Sequence, residues 1–423
     1  MSIDDAKGTC PVHAHASGDA PFLDVRDPAF AIRSSAVVVA RGDSWYARTP
    51  YGLAVLRYNE VKDFLKHPSL GQGARRWPDH NGVTGKAAEW WHSDLLQRSG
   101  PDHARRRRVL NPAFSPRVVD TLTDELADLA NELIDAFEAK GSCDFVAEFS
   151  SPYAARVICR ALGVGDERWE QIAEWVETLG LALGVTFASE LPRIEEAIDE
   201  LGEFADEVID AGRRRPAGLG VLSHLIEACD AGRINDTELR ESVMNVFFGG
   251  IDTTRNQLGI ALNLFVDHPE QWDLLARQPN LASAAITEVM RLEPTTTWVT
   301  REALEDFDYG GVSIPKGTTI HLYTGLIGTD PSAFGDDAGT FDISVDRANH
   351  NFGFGGGQHY CLGHFLARAD MAVAIAQLAR RLESLERDGN GVWLPQSGNT
   401  GPLELPLRFR ARSDRPGGLS TTS

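Results

Sequence analysis

The chain has 423 residues, 42% of them apolar and 24% charged, and carries a net charge of −20 at pH 7. That length suits two to four ordinary domains or one large enzyme fold, and the acidic balance disfavours nucleic acid and anionic membrane as partners. No run reaches the roughly 18 apolar residues of a membrane span, no secretory pattern opens the chain, and five dispersed cysteines without a Cys-x-x-Cys exclude a zinc ribbon or thioredoxin chemistry and speak against a disulfide framework.

Residues 1–21 and 411–423 are small and polar and are expected to be disordered, which leaves 22–410 as a single large domain. Asp43–Leu56 holds two β-like runs around Thr49-Pro50-Tyr51-Gly52, a hairpin signal. Asn59–Lys66 reads as a helix capped by Asn59. From Gly71 to Gly100 the pattern is irregular around Trp77, Trp90 and Trp91, and so long a loop in a compact protein is a candidate binding segment. Arg117–Lys140 has helical spacing and stops at Gly141; amphipathic segments follow over Ser151–Leu162, Arg168–Gly184 and Ile194–Arg215. Thr237–His268 is long and strongly apolar and ends at His268-Pro269, while Leu281–Leu292 ends before Pro294. Strand-like pieces come next, at Arg301–Leu304 and Thr318–Leu322, then a helix over Gly363–Leu385 and a strand over Leu403–Arg410. The expectation is a mainly α fold with minor β sheets and no βαβ alternation, which disfavours a Rossmann or barrel enzyme.

Phe354-Gly-Gly-Gly-Gln-His359-Tyr-Cys361-Leu-Gly363 is a glycine-rich loop bearing one thiol ahead of an apolar helix. Helix N-terminal amides lower a thiol pKa there, and glycines let the backbone approach a flat ligand. This environment suits a cysteine ligating haem iron. A buried structural cysteine beside a tight turn is the alternative; a phosphate loop is another, but no Lys-Ser/Thr follows.

The run Phe354-x-x-Gly357-x-His359-x-Cys361-x-Gly363 resembles the haem-ligand signature of the cytochrome P450 family at every defined position. The resemblance extends from about Phe22 to Arg410 and implies the P450 fold, with Cys361 as axial ligand to the iron of haem b (iron protoporphyrin IX) and Phe354 beside it. Glu288-Val-Met-Arg291 is similar to the family's Glu-x-x-Arg, and Arg347 matches the third member of that buried ion cluster, which implies a structural role. His103-Ala-Arg-Arg-Arg107 resembles the family's His-x-x-x-Arg; with Arg301 and His359 it implies four contacts to the haem propionates. His350-Asn-Phe-Gly departs from the family's usual run by one position, so His350 has no assignment.

Phe248-Gly249-Gly250-Ile251-Asp252-Thr253-Thr254 lies inside the long helix, where two adjacent glycines cost roughly 1 kcal/mol each against Ala. Close packing of another helix would explain them. The resemblance implies instead that Gly249 and Gly250 make room for dioxygen, with Asp252 the acid and Thr253 the alcohol of proton delivery. The function implied is a cytoplasmic monooxygenase, inserting one atom of dioxygen into a hydrophobic, ring-containing small molecule in bacterial secondary or catabolic metabolism. A peroxygenase and a non-catalytic haem sensor are the alternatives.

Substrate contacts are expected from 77–96, 168–194, the long helix 237–268, 295–299 and 392–400, with Trp90, Trp91, Thr297, Trp298 and Val299 as pocket candidates; Trp90, Trp91, Trp298 and Trp393 favour a bulky or ring-containing ligand. No flavin or iron–sulfur motif is present, so separate ferredoxin and NAD(P)H-dependent reductase proteins are implied. Of Arg105–Arg108, Arg107 is expected to point inward and its neighbours outward, as a basic island for an acidic ferredoxin; an ordinary solvated helix face is the alternative. A monomer without a membrane anchor completes the expectation.

Overall fold

The computed structural model describes residues 20–27, 30–184, 186–214, 220–347, 349–394 and 398–413; of the segments expected to be disordered, 1–21 and 411–423, residues 1–19 and 414–423 lie outside them, while Ala411 ends a strand. Its centre is the helix Asp236–Asp267, whose N-terminus is fixed by a capping box: Asn235 accepts from the Glu238 amide and Glu238 from the Asn235 amide. Most of this helix is buried on all sides, because the helices Ser151–Leu162, Trp169–Gly180, Leu191–Arg213 and His364–Arg381 all pack on it. Among the described residues, no helix is long and apolar enough to cross a membrane.

The β-structure is small and peripheral. One sheet has five strands in the order Tyr46–Arg48, Gly52–Val55, Thr319–Leu322, Val299–Ala303, Leu70–Gln72, with only Gly52–Val55 and Thr319–Leu322 parallel. The first two strands are the expected hairpin. Thr300 faces His321, and Arg301 faces Ile320 on one side and Gln72 on the other.

Several boundaries move. The 71–100 segment is largely ordered: it holds the helices Trp77–His80 and Lys86–Ser93 and the start of Gly100–Leu110. The helix after the hairpin starts at Tyr58, and its first amide is satisfied by Asp330 Oδ2 at 2.8 Å, so the cap comes from a distant loop and Asn59 is not it. The 117–140 segment breaks between Pro116–Asp120 and Thr123–Asp135. The last helix ends at Arg381, because Leu382–Arg387 pairs as a strand with Pro406–Ala411. A period-3.6 pattern cannot reveal a strand partner supplied from elsewhere.

Candidate active site

One cavity of about 460 Å³ opens between the Asp236–Asp267 helix, the five-stranded sheet and the Phe354–Gly363 loop. Cys361 lines it, and is the only cysteine among the described residues that does. The loop is shaped by Gly357 at φ +68°, where a Cβ would lie 2.4 Å from the Leu65 carbonyl oxygen; no other residue fits there. The Cys361 amide donates to the Phe354 carbonyl at 3.0 Å, which brings Phe354 to the cavity wall under the Arg368 guanidinium. The thiol differs from the sequence expectation: burial pushes its pKa up, outweighing the Gly363 amide and the Arg107 charge that pull it down. Coordination to a metal would reverse that, since a ligating thiol is deprotonated outright.

Four nitrogen-bearing side chains from three separate elements meet at the cavity. The His103 and His359 rings lie 4.4 Å apart, and Arg107 and Arg301 join them in the lining. Among the described residues no carboxylate pairs with either arginine. The buried Nε2 of His359 has no hydrogen-bond partner among the described residues. Burial lowers the Arg301 pKa to about 10; burial first, then His103, Arg301 and Arg107, drive His359 down to about 3. Such a cluster is unstable by itself and is complete only when an anion enters. A flat group carrying two carboxylates, with iron facing a thiol, fits these donors, as haem does.

On the long helix, the Thr253 hydroxyl donates to the Gly249 carbonyl at 3.0 Å. Gly249 has open space where a Cβ would project. Gly250 also lines the cavity, and a Cβ there would meet Ile158 Cδ1 at 2.3 Å, so a neighbouring helix also packs close against that glycine. Asp252 is buried and fully partnered. Its Oδ1 accepts from Arg255 at 2.8 Å, and its Oδ2 accepts from Asn256 at 3.1 Å and Asn399 at 2.7 Å. Arg255 also reaches Glu177, half exposed on a neighbouring helix, at 2.9 Å. Arg255 and Asn256 stand at i+3 and i+4 from Asp252, a spacing visible in the sequence; Asn399 gave no such signal.

Trp91, Trp298 and Val299 line the cavity, but two other pocket candidates do not. Trp90 turns away to pack edge-on against Phe248 at 5.3 Å, and Thr297 lies within the wall, bonded through its backbone to Gly398 and Gly325. Trp393 is 38% exposed at the surface. Glu288, Arg291 and Arg347 do meet: Arg291 binds Glu288 through two 2.7 Å bonds, and Arg347 reaches Glu288 at 3.4 Å. The basic island mostly dissolves. Arg106 is buried against Glu238 and Glu241, Arg105 pairs with Asp102 and Glu238, and only Arg108 remains exposed and unpaired among the described residues.

The family model for cytochrome P450 matches residues 53–277 and 271–408. This chain belongs to the cytochrome P450 family. The luteothin monooxygenase of Streptomyces thioluteus is 37% identical to this P450 over 397 residues, covering 93% of this chain and 97% of its own. The mycinamicin IV hydroxylase/epoxidase of Micromonospora griseorubida is 30% identical over 376 residues, 85% and 91% of the two chains. The solved structure of CxnD, described as a P450 enzyme for C–S bond formation in chuangxinmycin biosynthesis, superposes with a TM-score of 0.81 at 27% identity, covering 94% of this chain and all of its own. The chain is thus a P450 monooxygenase with the P450 fold, and haem is its cofactor.

Proposed function

We propose that this P450 holds haem b and inserts one atom of dioxygen into a neutral, largely apolar, ring-containing small molecule, in biosynthetic metabolism of the kind its relatives' names describe. The observation that carries the reading is the convergence of Cys361 and four donors without acidic partners on one apolar cavity. Bound haem would supply dioxygen binding at iron and the oxidising power for oxygen insertion. The protein does the rest. The Cys361 thiolate would hold the iron, and the Gly363 amide is hydrogen-bonded to its sulfur. His103, Arg107, Arg301 and His359 would bind the haem's two carboxylates as hydrogen-bond donors, and the two arginine charges would be compensated in doing so. Gly249 leaves a gap in the helix wall next to the Thr253 hydroxyl, which can hold a proton at Oγ1 over the reacting face. Asp252 can refill it only by leaving Arg255, and Arg255 has Glu177 as its alternative partner on the solvent side. Glu288, Arg291 and Arg347 hold the fold.

The Asp252–Thr253 pair favours dioxygen over peroxide as oxidant, and its presence favours an enzyme over a sensor. Electrons come from a separate ferredoxin and its NAD(P)H-dependent reductase, and the protein acts as a soluble cytoplasmic monomer. The test is the carbon monoxide difference spectrum of the reduced protein. Cys361→Ala should abolish the thiolate signature, whereas Cys143→Ala, Cys159→Ala and Cys229→Ala should keep it; a normal spectrum from Cys361→Ala overturns the reading. Thr253→Ala should keep consuming reducing equivalents but release more of them as hydrogen peroxide. Product formed per equivalent consumed is the quantity to measure, and unchanged coupling removes Thr253 from proton delivery.

A further inference from the structure

Strand alternation puts Thr300 on the face of Val299–Ala303 opposite Val299 and Arg301, and Trp298 immediately precedes that strand. On that face a second group of rings lines the cavity, apart from the His103/Arg107/Arg301/His359 cluster: Tyr51, Trp77, His80, Trp298 and His321. The Tyr51 ring stands 6.2 Å from Trp77, 6.1 Å from His80 and 6.3 Å, edge-on, from His321, while Trp298 lies 5.6 Å from His321. Trp298 is itself backed by a stacked Tyr323 at 5.8 Å.

His321 is the unusual member. It is 7% exposed and projects from a strand whose other residues, Thr319, Ile320 and Leu322, are buried. Its Nδ1 lies 3.2 Å from the Thr300 hydroxyl, directly across the strand pair. Its Nε2 has no hydrogen-bond partner among the described residues, although the side chain lines the cavity. Burial lowers the imidazole pKa to about 4, so the ring is neutral at pH 7. Unlike His359 Nε2, this atom is not sealed off: it meets the open space of the cavity, where a polar group of a ligand can reach it. The Thr300 hydroxyl can donate to Nδ1 or accept from it, so Nε2 can serve as donor or acceptor.

From this geometry we infer that Tyr51, Trp298 and His321 form a ring subsite for the substrate, which takes a neutral aromatic or heteroaromatic ring bearing a hydroxyl or carbonyl group. The ring lies against Tyr51 and Trp298, and its polar substituent meets His321 Nε2. A substrate anchored there presents its other, apolar end toward the Cys361 side of the cavity. The inference rests on the monooxygenase reading of the same cavity and deepens it.

The test uses the haem-loaded full chain and three kinds of probe: imidazole, and imidazoles joined through butyl, hexyl or octyl chains to either a 4-hydroxyphenyl or a cyclohexyl ring. Each is titrated by the absorbance shift of haem coordination. At the best chain length the hydroxyphenyl probe should bind roughly tenfold more tightly than its cyclohexyl match. His321→Phe, which keeps a ring, should cost the hydroxyphenyl probe about fivefold, and Trp298→Leu should cost it about threefold to tenfold. Both variants should leave imidazole binding unchanged. Equal affinity for the two tails at every length, or an unaltered preference in both variants, overturns the subsite. A normal shift with imidazole and no ring preference sinks this inference alone; no shift with imidazole sinks the haem reading first and the subsite with it.

Discussion

Two clusters of buried nitrogen-bearing side chains in this P450 differ in the presence of an acid. Around Glu288, one carboxylate takes two bonds from Arg291 and one from Arg347, and Arg291 spends its remaining hydrogens on the Gly328, Ala338 and Thr340 carbonyls. Around the cavity, His103, Arg107, Arg301 and His359 are drawn together with no acid bonded to them among the described residues; burial lowers the Arg301 pKa, and burial, then the neighbouring positive groups, lower that of His359. The first cluster is complete within the chain and belongs to folding. The second is complete only with a bound anion, and its cost to the protein alone is what makes it a binding site.

Removing the acid from the complete cluster should have the largest effect. Glu288→Ala leaves the buried Arg291 guanidinium without a carboxylate and Arg347 with only the exposed Asp337, and should destabilise the protein by about 3–5 kcal/mol, read from denaturant unfolding, whether or not haem is present. The incomplete cluster should behave in the opposite way: Arg301→Met removes an unpaired buried charge, so the haem-free protein should melt no lower than wild type while haem affinity falls roughly 10- to 100-fold. A lower melting temperature for haem-free Arg301→Met would erase the distinction.

His321 offers a third case, a buried base kept neutral. Its pKa of about 4 lies below its unfolded value near 6.5, so the unfolded chain takes up its proton first as pH falls. Its contribution is therefore fully present above pH 6.5 and is lost between about pH 6.5 and 4, up to about 3 kcal/mol. His321→Phe should flatten that part of the stability profile relative to wild type. The smallest contrast lies on the helix Gly100–Leu110. Arg106→Ala opens a buried pairing with Glu238 and Glu241 and should cost about 1–3 kcal/mol, whereas the exposed Arg108→Ala should stay within about 0.5 kcal/mol. Arg108→Glu is then the variant with which to test electron delivery, by the salt dependence of reduction.

What could be read in advance depended on sequence distance. Cys361 and its glycines lie within ten residues, and Glu288 with Arg291, His103 with Arg107, and Asp252 with Thr253 share single turns or faces of helices; local spacing made each legible. Arg105–Arg108 was misjudged because burial on that helix is decided by Glu238 and Glu241, more than 130 residues away. Trp90 and Trp91 are neighbours in one helix, yet only one reaches the cavity, since adjacent helical residues point about 100° apart. His321 had no local signal whatever: a lone histidine in a short strand reads as nothing until Thr300, Tyr51 and Trp298 surround it.

The sequence by itself determined the fold class, the family and the thiol ligand, because periodicity and a glycine-rich motif act over one or two turns of chain. Only the tertiary structure decided which polar groups are satisfied. It closed the Asp252 carboxylate with Asn399 from the far end of the chain, packed a neighbouring helix close against Gly250, neutralised two of the four arginines and left His321 Nε2 unpaired in the cavity. Hydrogen-bond satisfaction and desolvation depend on what the folded chain brings within about 3 Å, and no local pattern encodes that neighbourhood.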